Sequence, residues 1–269
     1  MKTRYSFALS AIAASLLIAM PLSSAQAAAI HDAGLFTTIL PGNDDGSTGA
    51  VAVGFGLNFF GTTYNNLYVN NNGNVTFTGA LGTYTPYGIT GVSMPMLAPF
   101  FADVDTRAGN VVTYGTATLN GHSVFGVDWI NVGYFSTHTD LLNSFQLIIT
   151  DRSDIAAGDF TFEFNYDKIQ WETGDASGGH GGFGGTPAAA GWTNGNGTSF
   201  QFPCSITSGA FEDNGTCPLI AKSINSNTLG QDVFDVRNGQ VVNNTPEPGS
   251  LALVGLAMAG LAGLRRRKV

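Results

Sequence analysis

Two aspartates two positions apart, Asp103 and Asp105, and the run Asn43-Asp44-Asp45-Gly46 are the residues of this chain best suited to hold a ligand. Their chemistry is that of hard oxygen donors. On an extended segment, residues i and i+2 share a face, so Asp103 and Asp105 can present both carboxylates to one Ca²⁺. No twelve-residue calcium loop completes the set. The competing use is structural, because Asp and Asn often cap turns and accept backbone N–H bonds. The expectation is no cofactor, with calcium at Asp103 and Asp105 as the one alternative.

Catalytic patterns are missing. None of His31, His122, His138 and His180 lies in a His-Glu-x-x-His motif, and no Gly-x-Ser-x-Gly elbow is present. His138 and Asp140 supply only a fragment of a triad. The expectation is a protein that is not an enzyme, with a hydrolase of unrecognised type as the remaining catalytic alternative. Trp171, Trp192, Tyr84 and Tyr87 could stack on sugar rings if exposed, and Trp171 and Trp192 are the candidate ligand-binding pair; the alternative is that they belong to the core. The stretch GGHGGFGG at 178–185 lacks the Lys-Ser/Thr of a phosphate loop, so residues 175–197 read as a mobile surface loop.

The two ends of the chain set its compartment. Lys2 and Arg4 precede an uncharged stretch over 5–20, and Ala25-Gln26-Ala27 places small residues at both cleavage-determining positions, so residues 1–27 read as a secretory signal peptide. At the other end, Pro246-Glu247-Pro248 is followed by an uncharged apolar run over 249–264 and then by Arg265-Arg266-Arg267-Lys268. As a helix that run would extend roughly 24 Å, short of a hydrocarbon core of about 30 Å, and the basic cluster would stay cytoplasmic. The segment therefore reads as a transient inner-membrane anchor, with residues 28–245 exported. In that compartment Cys204 and Cys217, the only cysteines, should form a disulfide.

The exported part has five basic residues against eighteen acidic ones, a net charge of −13. Such a body is poorly suited to nucleic acid or anionic lipid. Thirty-six glycines and only 11% charged residues fit short strands joined by turns. The stretch DFTFEFNYD at 159–167 alternates cleanly, with Phe160, Phe162, Phe164 and Tyr166 on one face, as a half-buried antiparallel strand does. Segments 123–132 and 144–150 are apolar on both faces, like central strands. Shorter strands are expected at 50–60, 67–69, 74–78, 110–114 and 232–236, separated by turns at Asn71-Asn72-Gly73, Ala108-Gly109, Asn120-Gly121 and Ala157-Gly158. The expected fold class is all-β: an antiparallel β-sandwich or strongly curved sheet with glycine-rich loops, framed by a signal helix and a short C-terminal apolar helix.

The ordered series LYVNNNGNVTF, MLAPFFADVDTRAGNVVTYG, VFGVDWINVGYF, NSFQLIITD, FTFEFNYDKIQWETGDA and AAAGWTNG resembles the NIDO, or nidogen-like extracellular, domain over about residues 53–197. Its most specific stretch is APFFADVD at 98–105. Residues 201–219, with the cysteine pair, then look like a local insertion, and a C-terminal extension follows. The tail, 246–269, resembles a PEP-CTERM sorting signal of Gram-negative bacteria, with Pro246, Glu247 and Pro248 as the processing motif and Arg265, Arg266 and Arg267 as its basic end. These resemblances imply an exosortase-like processing enzyme as one partner. They also imply cell-matrix adhesion at the cell surface, with extracellular matrix or exopolysaccharide as the other partner; a carbohydrate-binding module is the alternative.

Overall fold

The structure, a computed structural model, describes residues 29–242. Ala25 and Ala27 of the signal peptide, and Pro246, Glu247, Pro248, Arg265, Arg266 and Arg267 of the tail, lie outside the described residues. Within that span, β-branched and aromatic runs punctuated by glycine and asparagine form β1 (Thr38–Leu40), β2 (Val51–Phe59), β3 (Thr62–Asn70), β4 (Asn74–Thr76), β5 (Pro95–Phe101), β6 (Val104–Asp105), β7 (Val112–Leu119) and β8 (His122–Tyr134). They continue as β9 (His138–Asp151), β10 (Phe160–Lys168), β11 (Gly179–His180), β12 (Phe183–Gly184), β13 (Ala189–Asn194), β14 (Ser199–Gln201), β15 (Gln231–Arg237) and β16 (Gln240–Val242). Helical structure among the described residues is limited to three single-turn 3₁₀ segments. None of their helices is long and apolar enough to cross a membrane.

Apart from the two-stranded β11–β12 hairpin, the described strands make two antiparallel sheets. One runs β1-β7-β8-β9-β10-β15-β16, with β6 paired to β8; the other runs β14-β13-β5-β4-β3-β2. Their inner faces share one core, in which Phe59, Val69, Val75, Leu97 and Phe100 meet Phe125, Trp129, Phe145, Leu147 and Phe160. Phe100 lies 5.3 Å from Phe145 across the interface, and Phe59 lies 6.1 Å from Phe160, ring centre to ring centre. This is a sandwich, the expected solution for sheets that are apolar on one face. The Asn120-Gly121 turn joins β7 to β8 with both residues at positive φ, as a two-residue hairpin requires.

β10 follows the sequence pattern on its inner face, but its outer face is not open. Thr161 is nearly fully buried beside Asp235 and Arg237 of β15. Asn165 is fully buried, because residues 29–36 cross that side of the sheet. There His31 donates its backbone N–H to Gln146 and meets Glu163 at 3.0 Å through Nε2. Phe36 occupies the space over Gly126, where an added Cβ would fall 2.1 Å from its ring.

Beneath this strap Asp128 is buried, with Oδ1 accepting from Gln146 Nε2 at 2.7 Å and Oδ2 unpartnered. Burial pushes its carboxyl up to about 7, Asp32 adds to the rise, and Gln146 and His31 oppose it. A folded-state value above the unfolded one gives stability that is complete below about pH 4 and is lost as pH rises through 7. Asp128→Asn keeps the acceptor for Gln146 and removes the buried charge. After the cost of one unpartnered amide, we expect it to raise stability at pH 8 by about 1–3 kcal/mol and to weaken the decline between pH 5 and 8. Urea melts at the two pH values check this, and an unchanged pH dependence contradicts it.

Two sequence expectations are corrected. Residues 175–197 are not one irregular loop: the glycine-rich part folds back as the β11–β12 hairpin, and β13 is an internal strand between β5 and β14. Trp171 and Trp192 are not a surface platform. Trp171 is fully buried and donates from Nε1 to the Val132 carbonyl at 3.1 Å, while Trp192 is 6% exposed and packs between Phe60 and Phe200. An indole in a two-layer sandwich fills more core volume than any other side chain. The cysteines are bridged, Cys204 to Cys217, and the loop they close carries buried Ala210 and Phe211. Beyond it β15 pairs with β10 through six residues, so the segment after residue 197 contributes strands to both sheets.

Candidate metal centre

One corner of the sandwich gathers a cluster of buried polar side chains, among them Asn70, Asn71, Asn72, Asn74, Asp103, Asp105 and Thr106. At the end of β3 the Asn71-Asn72-Gly73 turn reverses the chain into β4. Only glycine fits at 73: φ is 70°, and a Cβ would lie 1.8 Å from the Phe100 carbonyl oxygen. That close approach lets Phe100 donate its N–H to the Gly73 carbonyl at 3.2 Å, tying β5 to the turn. The asparagines then do work that the backbone cannot. Asn71 Nδ2 donates to the Val104 carbonyl, its Oδ1 accepts from Thr106, and its own carbonyl accepts from Trp129 Nε1. Asn72 Oδ1 accepts from Val104 N–H at 3.0 Å, while its Nδ2 donates to Asp45 Oδ1 at 2.8 Å. Sequence reasoning read these residues only as a turn; the signal passed over was four asparagines around one glycine, flanked by apolar strand residues that must bury them.

The network holds two connections between the sheets. Residues 41–50 pass from β1 in the first sheet to β2 in the second, and residues 102–103 pass from β5 back to β6. Asn43 and Thr106 exchange bonds through backbone and hydroxyl, and Asn71 N–H donates to the Gly46 carbonyl. The result brings Asp44, Asp45 and Asp103 together, with one oxygen of each within 4.8 Å of the others.

The expected partnership of Asp103 with Asp105 does not form. Asp105 turns to Arg107, 2.5 Å away, and accepts the Thr137 N–H at 2.8 Å. Burial raises its carboxyl, but the bonds from Arg107 and Thr137 outweigh that and hold it below the usual carboxylate range. A cation two residues on neutralises Asp105 and takes it out of any ligand set. Asp103 is the opposite case: it is 2% exposed, and Oδ2 has no hydrogen-bond partner. Burial first, and then the fields of Asp44, Asp45, Asp105 and Asp175, push it up to about 7. Asp44 is also raised, by burial and by Asp45, although Arg107 stands 3.3 Å away.

The other nominated residues lie apart. Tyr84 and Tyr87 are 39% and 53% exposed, in the segment that covers the outer face of the second sheet, and Tyr87 sets its ring edge-on to Phe101. His138 stacks on Tyr134 with its ring nitrogens facing Asp140 at 3.8 Å and Asp175 at 3.3 Å, so both contacts are to carboxylates.

The buried Asn corner, the β5–β6 crossing and strands β4 to β15 fall within residues 65–238, which match the nidogen-like domain family, NIDO. The chain belongs to that family. The NIDO match extends through β15, so the disulfide loop lies inside it. Among curated proteins the chain is 33% identical over 190 residues to human alpha-tectorin, covering 61% of this chain and 8% of that protein. It is 30% identical over 245 residues to chicken alpha-tectorin, covering 81% and 11%, and 29% identical over 151 residues to Drosophila melanogaster nidogen, covering 45% and 11%. The chain thus spans about a tenth of the length of these relatives. No solved structure matches it significantly. Residues 244–268 match the PEP-CTERM protein-sorting motif, which makes this an exported NIDO protein sorted to the cell surface and implies processing by an exosortase-type enzyme.

Proposed function

We propose that the protein is a non-enzymatic adhesion module of a Gram-negative bacterium, held briefly in the inner membrane and then displayed at the surface or released into the matrix, where it binds matrix components or exopolysaccharide. The observation that carries this reading is the direct succession of a NIDO match ending at 238 and a sorting motif beginning at 244. A body of net charge −13 favours neutral or cationic partners over nucleic acid. With Trp171 and Trp192 in the core, Tyr84 and Tyr87 are the two of the four nominated aromatics that remain exposed for sugar stacking.

Binding to isolated exopolysaccharide and to a glycan array should be saturable and leave the glycan intact. Replacing Tyr84 and Tyr87 together by alanine should weaken sugar binding about tenfold while leaving the melting temperature within a few degrees, since each stacking contact contributes about 0.5–1.5 kcal/mol. Release of new reducing ends or peptides would favour a hydrolase. Undiminished binding by the double variant would remove the stacking role of the two tyrosines.

A further inference from the structure

The corner that joins the two sheets carries more negative charge than its own side chains neutralise. Asp44, Asp45 and Asp103 converge there, and Asp105 and Asp175 add their fields. Arg107 is the cation in contact with this group, and its guanidinium is engaged by Asp105 at 2.5 Å and by Asp44 at 3.3 Å. A second observation points to a ligand. Asp103 is almost completely buried, its Oδ2 has no hydrogen-bond partner, and the carboxylate is turned into the cluster, within 4.8 Å of both other aspartates. A carboxylate taken from water with an oxygen unsatisfied is costly unless a cation or donor completes it.

We propose that Asp44, Asp45 and Asp103 form a Ca²⁺ site that clamps the 41–50 connection to the β5–β6 crossing. The donors are all oxygen, which suits a hard divalent cation and not zinc or copper. Carboxylates from two segments, without a preset octahedron, suit calcium better than magnesium, and calcium's six to eight ligands leave places for water. Asp44 and Asp45 are only partly buried, so the ion has a path from solvent, while Asp103 forms the floor. Asn72 is the positioning residue: one amide holds Asp45 through Nδ2 and the residue after Asp103 through Oδ1. An ion here closes the sandwich at a point where the chain crosses between sheets twice. The inference does not depend on the adhesion reading, because its test needs no partner.

The test uses the mature protein stripped with EDTA and titrated with CaCl₂ by calorimetry, alongside thermal melts. One saturable site is expected, with Kd about 10⁻⁴–10⁻³ M as in extracellular calcium modules. The melting temperature should rise by about 5 °C or more at a hundredfold excess over Kd, with Mg²⁺ giving much less. Asp45→Asn keeps an acceptor for Asn72 and should weaken calcium binding at least tenfold, while its melting temperature in EDTA stays equal to or above the parent's because like charges are relieved. Asp44→Asn serves as the second variant and should also weaken calcium binding at least tenfold. Absence of heat and of any melting shift up to about 10 mM Ca²⁺, or parental calcium affinity in both Asp45→Asn and Asp44→Asn, would overturn the site.

Discussion

Gly73→Ala is expected to abolish folding of the exported domain. The new Cβ would fall 1.8 Å from the Phe100 carbonyl oxygen and 2.7 Å from its carbon, both backbone atoms of a strand buried on both sides, and φ at this position is 70°. Neither side can retreat cheaply. Moving the turn breaks the bond from Phe100 N–H to the Gly73 carbonyl and pulls Asn71 and Asn72 from Val104, Thr106 and Asp45. Moving β5 opens the core at Phe100, which sits against Phe145 and Trp171. Buried amides deprived of partners cost about 1–3 kcal/mol each, so the total exceeds about 4 kcal/mol, a large part of a typical domain's stability. Gly121→Ala separates steric conflict from backbone strain: its φ is 83°, but nothing lies within 4 Å of the added Cβ. It should cost only about 1–2 kcal/mol. Circular dichroism and urea melts of the two variants decide the matter, and a Gly73→Ala protein within 1 kcal/mol of Gly121→Ala would show that the turn can yield.

That contrast also explains what could be read from the chain. β10 was legible because one of its faces meets the core, so Phe160, Phe162, Phe164 and Tyr166 alternate with polar residues. β13 was not, because it lies inside a sheet covered on both sides: Ala189 packs in the outer cluster with Met96 and Phe101, while Ala190 and Trp192 face the main core. Small residues on both faces erase the alternation, and the neighbouring glycines then look like more loop. The acidic site was half legible. Asp103 and the 43–46 run were both visible as oxygen donors, but the run's approach to Asp103 depends on the paired crossings between sheets, which no local pattern encodes. Spacing nominated Asp105 instead, and Arg107 two residues later removes it. Aromatic residues misled in a different way: stacking on sugar and filling a core require the same side chains, and only burial separates Trp171 from Tyr87.

The largest effect on the fate of the protein should come from outside the sandwich. The last strand among the described residues, β16, ends at Val242 and is paired to β15, and three residues separate it from Pro246. Even fully extended, three residues reach only about 10 Å, so an enzyme acting at Pro246-Glu247-Pro248 works against the surface of a folded domain. We therefore expect the signal to be read locally, from the tripeptide and the apolar run. Prolines on either side of Glu247 bar a helix from running back toward the domain. As a membrane segment the run over 249–264 would be short for a permanent span and diluted by Gly255, Gly260 and Gly263, and Arg265, Arg266 and Arg267 would keep the end from following the body outward. We expect the mature protein to lack everything after about the tripeptide, and Glu247→Ala or Pro248→Leu to leave uncut precursor in the inner membrane with the NIDO domain still folded. Intact mass of the surface-released protein reads this directly. A C-terminus still at Val269 would mean that the tail acts as a simple anchor, and release of a normally trimmed product from Pro248→Leu would mean that the processing enzyme does not read the tripeptide.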